Sequence, residues 1–116
     1  MKTMESKKIN VLGTEYTLTV CSEDKEARLL GCDGFCDETT KELFAESYSK
    51  AKDELNAKAK LSVQMNKVKR HEIIHAFLFE SGLAENSSWA QNEEMVDFFA
   101  IQLPKIWEAC KAADAL

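Results

Sequence analysis

The chain has 116 residues, of which 45% are hydrophobic and 30% charged, values typical of a single soluble globular domain. Its net charge of −5 argues against nucleic acid and against an anionic membrane surface as partners. No stretch has the length of a membrane span, and the first residues lack the apolar core of a secretory signal, so a cytoplasmic location is expected.

The first part of the chain, residues 1–46, is predicted to be rich in short strands. Between residues 9 and 20, apolar and polar side chains alternate on either side of a Gly13-Thr14 turn, with the period of half-buried strands. Asp33-Gly34 predicts a hairpin turn, and residues 37–40 predict another turn before a further strand. We expect a small, mostly antiparallel sheet of three to five strands.

The second part, residues 47–116, is predicted to be helical, which gives an α+β fold class for the whole chain. Residues 47–60 are rich in Ala, Lys and Glu and fit either a helix or a solvated linker. A helix is expected from about Leu61 to Ser81, because this stretch lacks Gly and Pro. Gly82 is well placed to end it.

A further helix is predicted to begin at Ser88, which could form a capping box with Gln91 and precedes an apolar run. Pro104 is expected to kink this helix or to start a new helical segment. The two tryptophans, Trp89 and Trp107, fit either the core or an interface, and the core is the preferred expectation because both fall within amphipathic helices.

Both histidines of the chain lie in the sequence His71-Glu72-Ile73-Ile74-His75. Side chains four residues apart on a helix lie on one face, so the two imidazoles can bind one zinc ion. Glu72 lies about 100° further round the helix. It is too far round to be an easy ligand of the same tetrahedron, but it can reach a water at the open position. Glu72 is therefore the candidate general base toward a zinc-bound water.

A third metal ligand must come from another element, because the chain has no third histidine. Glu93 and Asp97 lie four residues apart and share a helix face with the small side chain of Ala100. Glu93 is the candidate third ligand, and Glu94 is the alternative. Asp97 is expected to accept the second N–H of a zinc-bound histidine. Three protein ligands and one open position match a catalytic zinc site, so Zn²⁺ is the expected cofactor.

The four cysteines, Cys21, Cys32, Cys36 and Cys110, are expected to be free thiols in a reducing compartment. Cys32 and Cys36 are separated by three residues, whereas a zinc ribbon uses two pairs with a two-residue spacing. A cysteine metal site is therefore not expected.

The sequence His71–His75, followed by Glu93, Asp97 and Phe99-Ala100, resembles the zincin metallopeptidases. Within them it is similar to the gluzincins, whose third ligand is Glu, to their ImmA/IrrE type, and to short zincin-like proteins of bacteria and phages. The resemblance covers residues 61–104. It implies a minimal zincin-like fold and zinc-dependent hydrolysis of a peptide or protein substrate.

The resemblance also implies roles for parts of the active site. Glu72 would take a proton from the zinc-bound water and pass one to the leaving amine. The edge strand of the small sheet would hold an extended peptide by strand addition. An oxyanion donor is also implied, and the candidates in this chain are Tyr16, Tyr48 and Arg28.

Two alternatives stay open at the level of sequence. The chain could be a metal-binding but non-catalytic module that binds a peptide or protein in the same cleft. It could also be a metal-free domain whose two histidines are ordinary core residues. The sequence does not fix the oligomeric state.

Overall fold

The computed structural model describes residues 5–48 and 61–116, which form a small sheet followed by helices. The predicted α+β class is confirmed. The strands are β1 (Glu5–Val11), β2 (Thr14–Cys21), β3 (Gly34–Asp37) and β4 (Glu42–Glu46). The helices are α1 (Leu61–Glu80), α2 (Leu83–Asn86) and α3 (Glu93–Ala112). The prediction for residues 47–60 falls almost entirely outside the described residues.

The four strands are arranged in the order β1-β2-β4-β3. The pairs β1–β2 and β3–β4 are antiparallel, which confirms a mostly antiparallel sheet, but the central pair β2–β4 is parallel. A parallel pair requires a crossover, and the chain makes it between β2 and β4. This crossover places β3 on the far side of β4, at an edge of the sheet.

The turn between β1 and β2 consists of Leu12 and Gly13, one residue earlier than the predicted Gly13-Thr14, and Thr14 is the first residue of β2. Leu12 and Gly13 both have positive φ, 51° and 92°, as a type I′ hairpin turn requires. The prediction of a hairpin turn at Asp33-Gly34 is wrong, because Gly34 is the first residue of β3. The segment before it contains a 3-10 turn at Ala27–Leu29. The Glu26 carboxylate stabilises this turn by accepting the backbone N–H of Arg28.

The predicted turn at residues 37–40 connects β3 to β4. The carboxylate of Asp37 accepts the backbone N–H groups of Thr39 and Thr40, at 3.1 and 3.3 Å. Asp commonly stabilises turns in this way, by bonding to the backbone two residues further on.

Helix α1 covers one face of the sheet. Its Ala76 packs into a cluster with Val11, Tyr16, Leu18 and Leu43. Burying each of the larger side chains contributes about 1.5–3 kcal/mol. This packing fixes the position of α1, which carries both histidines, against the sheet.

Two further clusters complete the described core. One fills the opposite face of the sheet and consists of Cys21, Leu29 and Phe44, with Phe35 against them. The other joins α1 to the helices that follow and consists of Leu78, Ala84, Ala90 and Val96. The second cluster keeps α3 beside α1.

The helix ends agree with the sequence at Gly82 but not at Ser88. Gly82 ends α1 with φ 85°. Ser88 makes no side-chain capping bond, and Trp89–Gln91 is a 3-10 turn. Asn92 caps α3 instead and accepts the backbone N–H of Met95 at 2.8 Å. Asn is as good an N-cap as Ser, and this start places the acids of residues 93–94 in the first turn, where the helix dipole favours them.

Helix α3 continues through Pro104 to Ala112, so Pro104 does not start a separate segment. The prediction that both tryptophans lie in the core is wrong. Trp89 and Trp107 are 53% and 54% exposed.

Candidate metal centre

The centre is formed where α1 and α3 lie side by side. Val96 and Ala100 of α3 are fully buried, and such small or β-branched side chains allow close approach of the two helices. His75 lies opposite Glu93, and His71 lies opposite Asp97, so the two helices are antiparallel. Each predicted histidine therefore meets a predicted acid of the following helix.

Three side chains converge on one point. Oε1 of Glu93 lies 2.9 Å from Nε2 of His75, and Oε2 lies 3.0 Å from Nε2 of His71. The two Nε2 atoms are 3.2 Å apart. Within the described part of the chain, this is the single group of His, Cys, Asp or Glu side chains close enough to hold a metal ion.

The hydrogen bond between His71 and Asp97 sets the chemistry of this group. Nδ1 of His71 lies 3.0 Å from Oδ1 of Asp97. A carboxylate can only accept, so we assign a proton to Nδ1, and in the neutral form of the ring Nε2 then carries the lone pair. Metal-binding histidines are usually oriented by such a carboxylate. The position of Asp97 thus matches its predicted supporting role.

The second imidazole is also suited to bind a metal. His75 is largely buried, and this burial lowers its pKa below the ordinary histidine value, with repulsion from His71 adding to the effect and Glu93 opposing it. This shift favours the uncharged ring, which can offer a lone pair to a metal.

The donor set fits zinc. In a tetrahedral site with Zn–N and Zn–O bonds of about 2.0–2.1 Å, neighbouring ligand atoms are about 3.3 Å apart. The two Nε2 atoms, 3.2 Å apart, are close to that value, whereas the contacts of 2.9 and 3.0 Å involve the two different oxygens of Glu93. With one ligand atom taken from each residue, all three atoms lie within 4.8 Å of one another. A cation at their centre would bind the two Nε2 lone pairs and the Glu93 carboxylate. Without a cation, these three acceptors face one another, which is unfavourable.

Glu72 lies beside this centre but outside the ligand set. It is one of the few buried charged side chains, with 7% of its surface exposed, and it still lines the cleft in front of the histidines. Burial raises the pKa of its carboxyl to about 7; the nearby His71 opposes this shift and the charge of Glu93 adds to it. A carboxyl with a pKa near neutrality is suited to exchange a proton at physiological pH.

Gly34 of the edge strand lies directly over Glu72. A Cβ built on Gly34 would lie 2.6 Å from Cγ1 of Val68 and 2.8 Å from Oε2 of Glu72, closer than real contacts allow. A glycine in a strand often marks such a close approach. The sequence offered this signal, but the turn prediction at Asp33-Gly34 obscured it.

We expect Gly34→Ala to destabilise the protein by about 1–3 kcal/mol, because Val68 is buried and stiff and the strand must move away from α1. Urea unfolding of the metal-free protein measures this loss. The variant Gly34→Ala/Val68→Ala restores the space, so the double substitution should cost less than the sum of the two single ones. Strict additivity would contradict the proposed contact.

The cleft between β3 and α1 has two lobes, of about 300 and 330 Å³. Gly34, His71 and Glu72 line both lobes. The polar lobe lies toward the start of α1 and adds Asp33, Gln64, Lys67, Val68 and Asp97. The apolar lobe lies toward the end of α1 and adds Phe35, Cys36, His75, Phe79 and Glu93. The candidate metal centre thus opens onto a groove along the edge strand.

The three candidate oxyanion donors have other surroundings. Arg28 forms ion pairs with three carboxylates, those of Glu26, Asp37 and Glu42. The Tyr16 hydroxyl donates to Glu80 at 2.7 Å. The Tyr48 hydroxyl is buried close to Asp33 and Gln64 of the polar lobe, and its pKa is raised to about 12, mainly by burial and next by the charge of Asp33.

Glu94, the alternative ligand, is exposed at the start of α3 and is not part of the convergent group. The four cysteines are free thiols, and none belongs to a metal-binding group of the described residues.

In comparisons with known proteins, no family model, no curated protein and no solved structure matches the chain. Among the described residues, no helix combines the length and apolar character needed to cross a membrane.

Proposed function

We propose that this chain is a zinc-dependent metallopeptidase in which His71, His75 and Glu93 hold the metal and Glu72 is the general base. The observation that carries the proposal is the convergence of two Nε2 atoms and one carboxylate within 3.2 Å, beside a buried glutamate that faces an open cleft. A structural ion pair would not require that second, buried carboxyl.

A bound Zn²⁺ ion supplies a water of near-neutral pKa and polarises the carbonyl of a substrate. Glu72 then accepts a proton from the attacking water and delivers a proton to the leaving amine. Asp97 holds His71 in the tautomer that leaves Nε2 free, and this orientation fixes the direction of the lone pair.

Among the described strands, β3 lies at an edge of the sheet and pairs with β4 alone, which supports a peptide substrate. The N–H of Glu46 donates to the carbonyl of Asp33, directly opposite in the register. Backbone bonds alternate along an antiparallel pair, so Phe35 also bonds inward to β4. Gly34 and Cys36 therefore direct their backbone N–H and C=O groups away from β4, toward the groove above α1.

An extended peptide can pair with these groups as an added strand. In an antiparallel arrangement its N-terminal side would lie over the apolar lobe, near Phe79, and its C-terminal side over the polar lobe, near Lys67. The peptide bond between these two sides would pass over His71 and Glu72.

A second candidate function is a metal-binding module that holds a peptide without cleaving it. The surroundings of Tyr16, Tyr48 and Arg28 favour this reading, because none of these donors lines either lobe of the cleft. Loss of one oxyanion donor commonly costs about 10²–10³-fold in kcat. A chain without such a donor could retain binding while cleaving slowly.

The proposal is tested with the zinc-loaded protein and a diverse peptide library, analysed by mass spectrometry. We expect one zinc per chain, cleavage within the library, loss of cleavage with a chelator and its return with added zinc. Zinc binding without cleavage of any peptide would favour the non-catalytic module. A protein that neither binds zinc nor is stabilised by it would contradict both functions.

A further inference from the structure

Pro104 leaves one carbonyl of α3 without its helical partner. In an α-helix the N–H of residue 104 would bond to the carbonyl of residue 100, but proline has no N–H. Ala100 is fully buried, so water cannot readily replace the missing bond. An unsatisfied buried carbonyl is costly, and a donor from elsewhere in the fold is required.

Arg70 of α1 provides that donor. Its Nε lies 2.5 Å from the carbonyl oxygen of Ala100, in a partly buried position. The bond is charge-assisted, because the guanidinium group carries a positive charge. It joins a side chain of one helix to the backbone of the other, so it constrains the helix itself rather than a movable side chain.

This bond lies next to the candidate metal centre. Arg70 directly precedes His71 in α1, and Ala100 lies one turn after Asp97 in α3. A slip of α3 by one residue would shift it by about 1.5 Å. Metal sites tolerate deviations of only about 0.2 Å in ligand distance, so the register of the two helices decides whether Glu93 can reach the histidines.

We propose that Arg70 and Pro104 form a positioning pair: Pro104 frees the Ala100 carbonyl, and Arg70 binds it to set the register of α3 against α1. This inference rests on the proposed function, because it concerns the helix that carries the third zinc ligand. Neither residue touches the metal or the substrate. Their effect passes through the positions of Glu93 and Asp97.

The test compares Arg70→Met with the matched control Lys69→Met, which removes the same charge from the neighbouring position of α1. The Lys69 side chain makes no hydrogen bond or ion pair to a described residue, so its replacement should leave the helix register unchanged. We expect Arg70→Met to weaken zinc binding by about tenfold and Lys69→Met to change it by less than about twofold. Competition with a chromogenic chelator measures both affinities.

Two further variants separate positioning from general stability. Arg70→Lys retains a donor and should recover part of the zinc affinity. In a Pro104→Ala background the helix supplies its own N–H to the Ala100 carbonyl, so the effect of Arg70→Met should fall to about threefold or less. With Co²⁺ in place of zinc, the visible spectrum reports ligand geometry. We expect this spectrum to differ from that of the wild type in Arg70→Met but not in Lys69→Met.

Equal zinc affinity and equal spectra for Arg70→Met and Lys69→Met would overturn the inference, as would a full Arg70 effect in the Pro104→Ala background. The wild type, Arg70→Met, Pro104→Ala and the double variant Arg70→Met/Pro104→Ala can be compared by thermal unfolding without metal. If the wild type binds no zinc, the proposed function fails. Coupling between Arg70 and Pro104 in the free energy of unfolding would still show that the positioning pair joins the two helices. If that coupling is also absent, the positioning pair itself is contradicted.

Discussion

Replacing Glu72 by Gln is expected to lower kcat for peptide cleavage by about 10²–10⁴-fold while leaving zinc bound. The amide has the shape of the carboxyl, but it cannot accept a proton from the attacking water. The zinc ligands are separate side chains, so the metal affinity should stay close to that of the wild type. Single-turnover cleavage of the best library peptide and zinc titration measure the two quantities.

The matched control is Glu94→Gln, which removes one carboxylate from the exposed first turn of α3. It should retain the wild-type kcat, which would show that a change of net charge near the centre is not the cause. If Glu72→Gln cleaves as fast as the wild type, another group is the base. If it loses zinc, Glu72 belongs to the ligand set.

The same variant checks the environment of Glu72 in the metal-free protein. The pKa of this carboxyl is about 7 when folded, against an ordinary value of 4.5, so the folded state holds the proton more tightly than the unfolded state. Stability is therefore lost as pH rises from about 4.5 through 7, by an amount on the order of 3 kcal/mol. Glu72→Gln should remove this loss, and urea unfolding at pH 5 and pH 8 would reveal it.

Part of the candidate centre could be predicted from the sequence because it depends on helix periodicity alone. The spacing of His71 and His75 places both imidazoles on one face of any helix, whatever packs against it. The same holds for Glu93 and Asp97. What the sequence could not supply was the distance between the two helices, which depends on the buried contacts of Val96 and Ala100.

Other features depend on contacts between distant segments, and local signals misled there. Asp33-Gly34 has the composition of a turn, but Gly34 is in a strand because its missing side chain allows the edge of the sheet to lie against Glu72. Ser88 has the composition of a cap, yet Asn92 caps the helix. Two equally good caps four residues apart cannot be ranked by propensity alone.

The role of Arg70 illustrates a further limit of sequence reasoning. Neither Arg70 nor Pro104 belongs to a motif, and proline in a helix predicts a break. The helix continues because the lost backbone bond is replaced from the neighbouring helix, at the carbonyl of Ala100. Such compensation is visible only once the two helices are placed side by side.

Replacing Glu93 by Ala is expected to weaken zinc binding by about 100-fold or more, whereas Glu94→Ala should change it by less than about twofold. Glu93 places one oxygen 2.9 Å from His75 and the other 3.0 Å from His71, so its loss would remove one of the three proposed ligands. Glu94 is adjacent and equally charged, which makes it a control for long-range electrostatics. Isothermal titration with Zn²⁺ measures both. Equal losses would mean that the first turn of α3 attracts zinc only by its charge, and a larger loss for Glu94→Ala would move the third ligand by one residue.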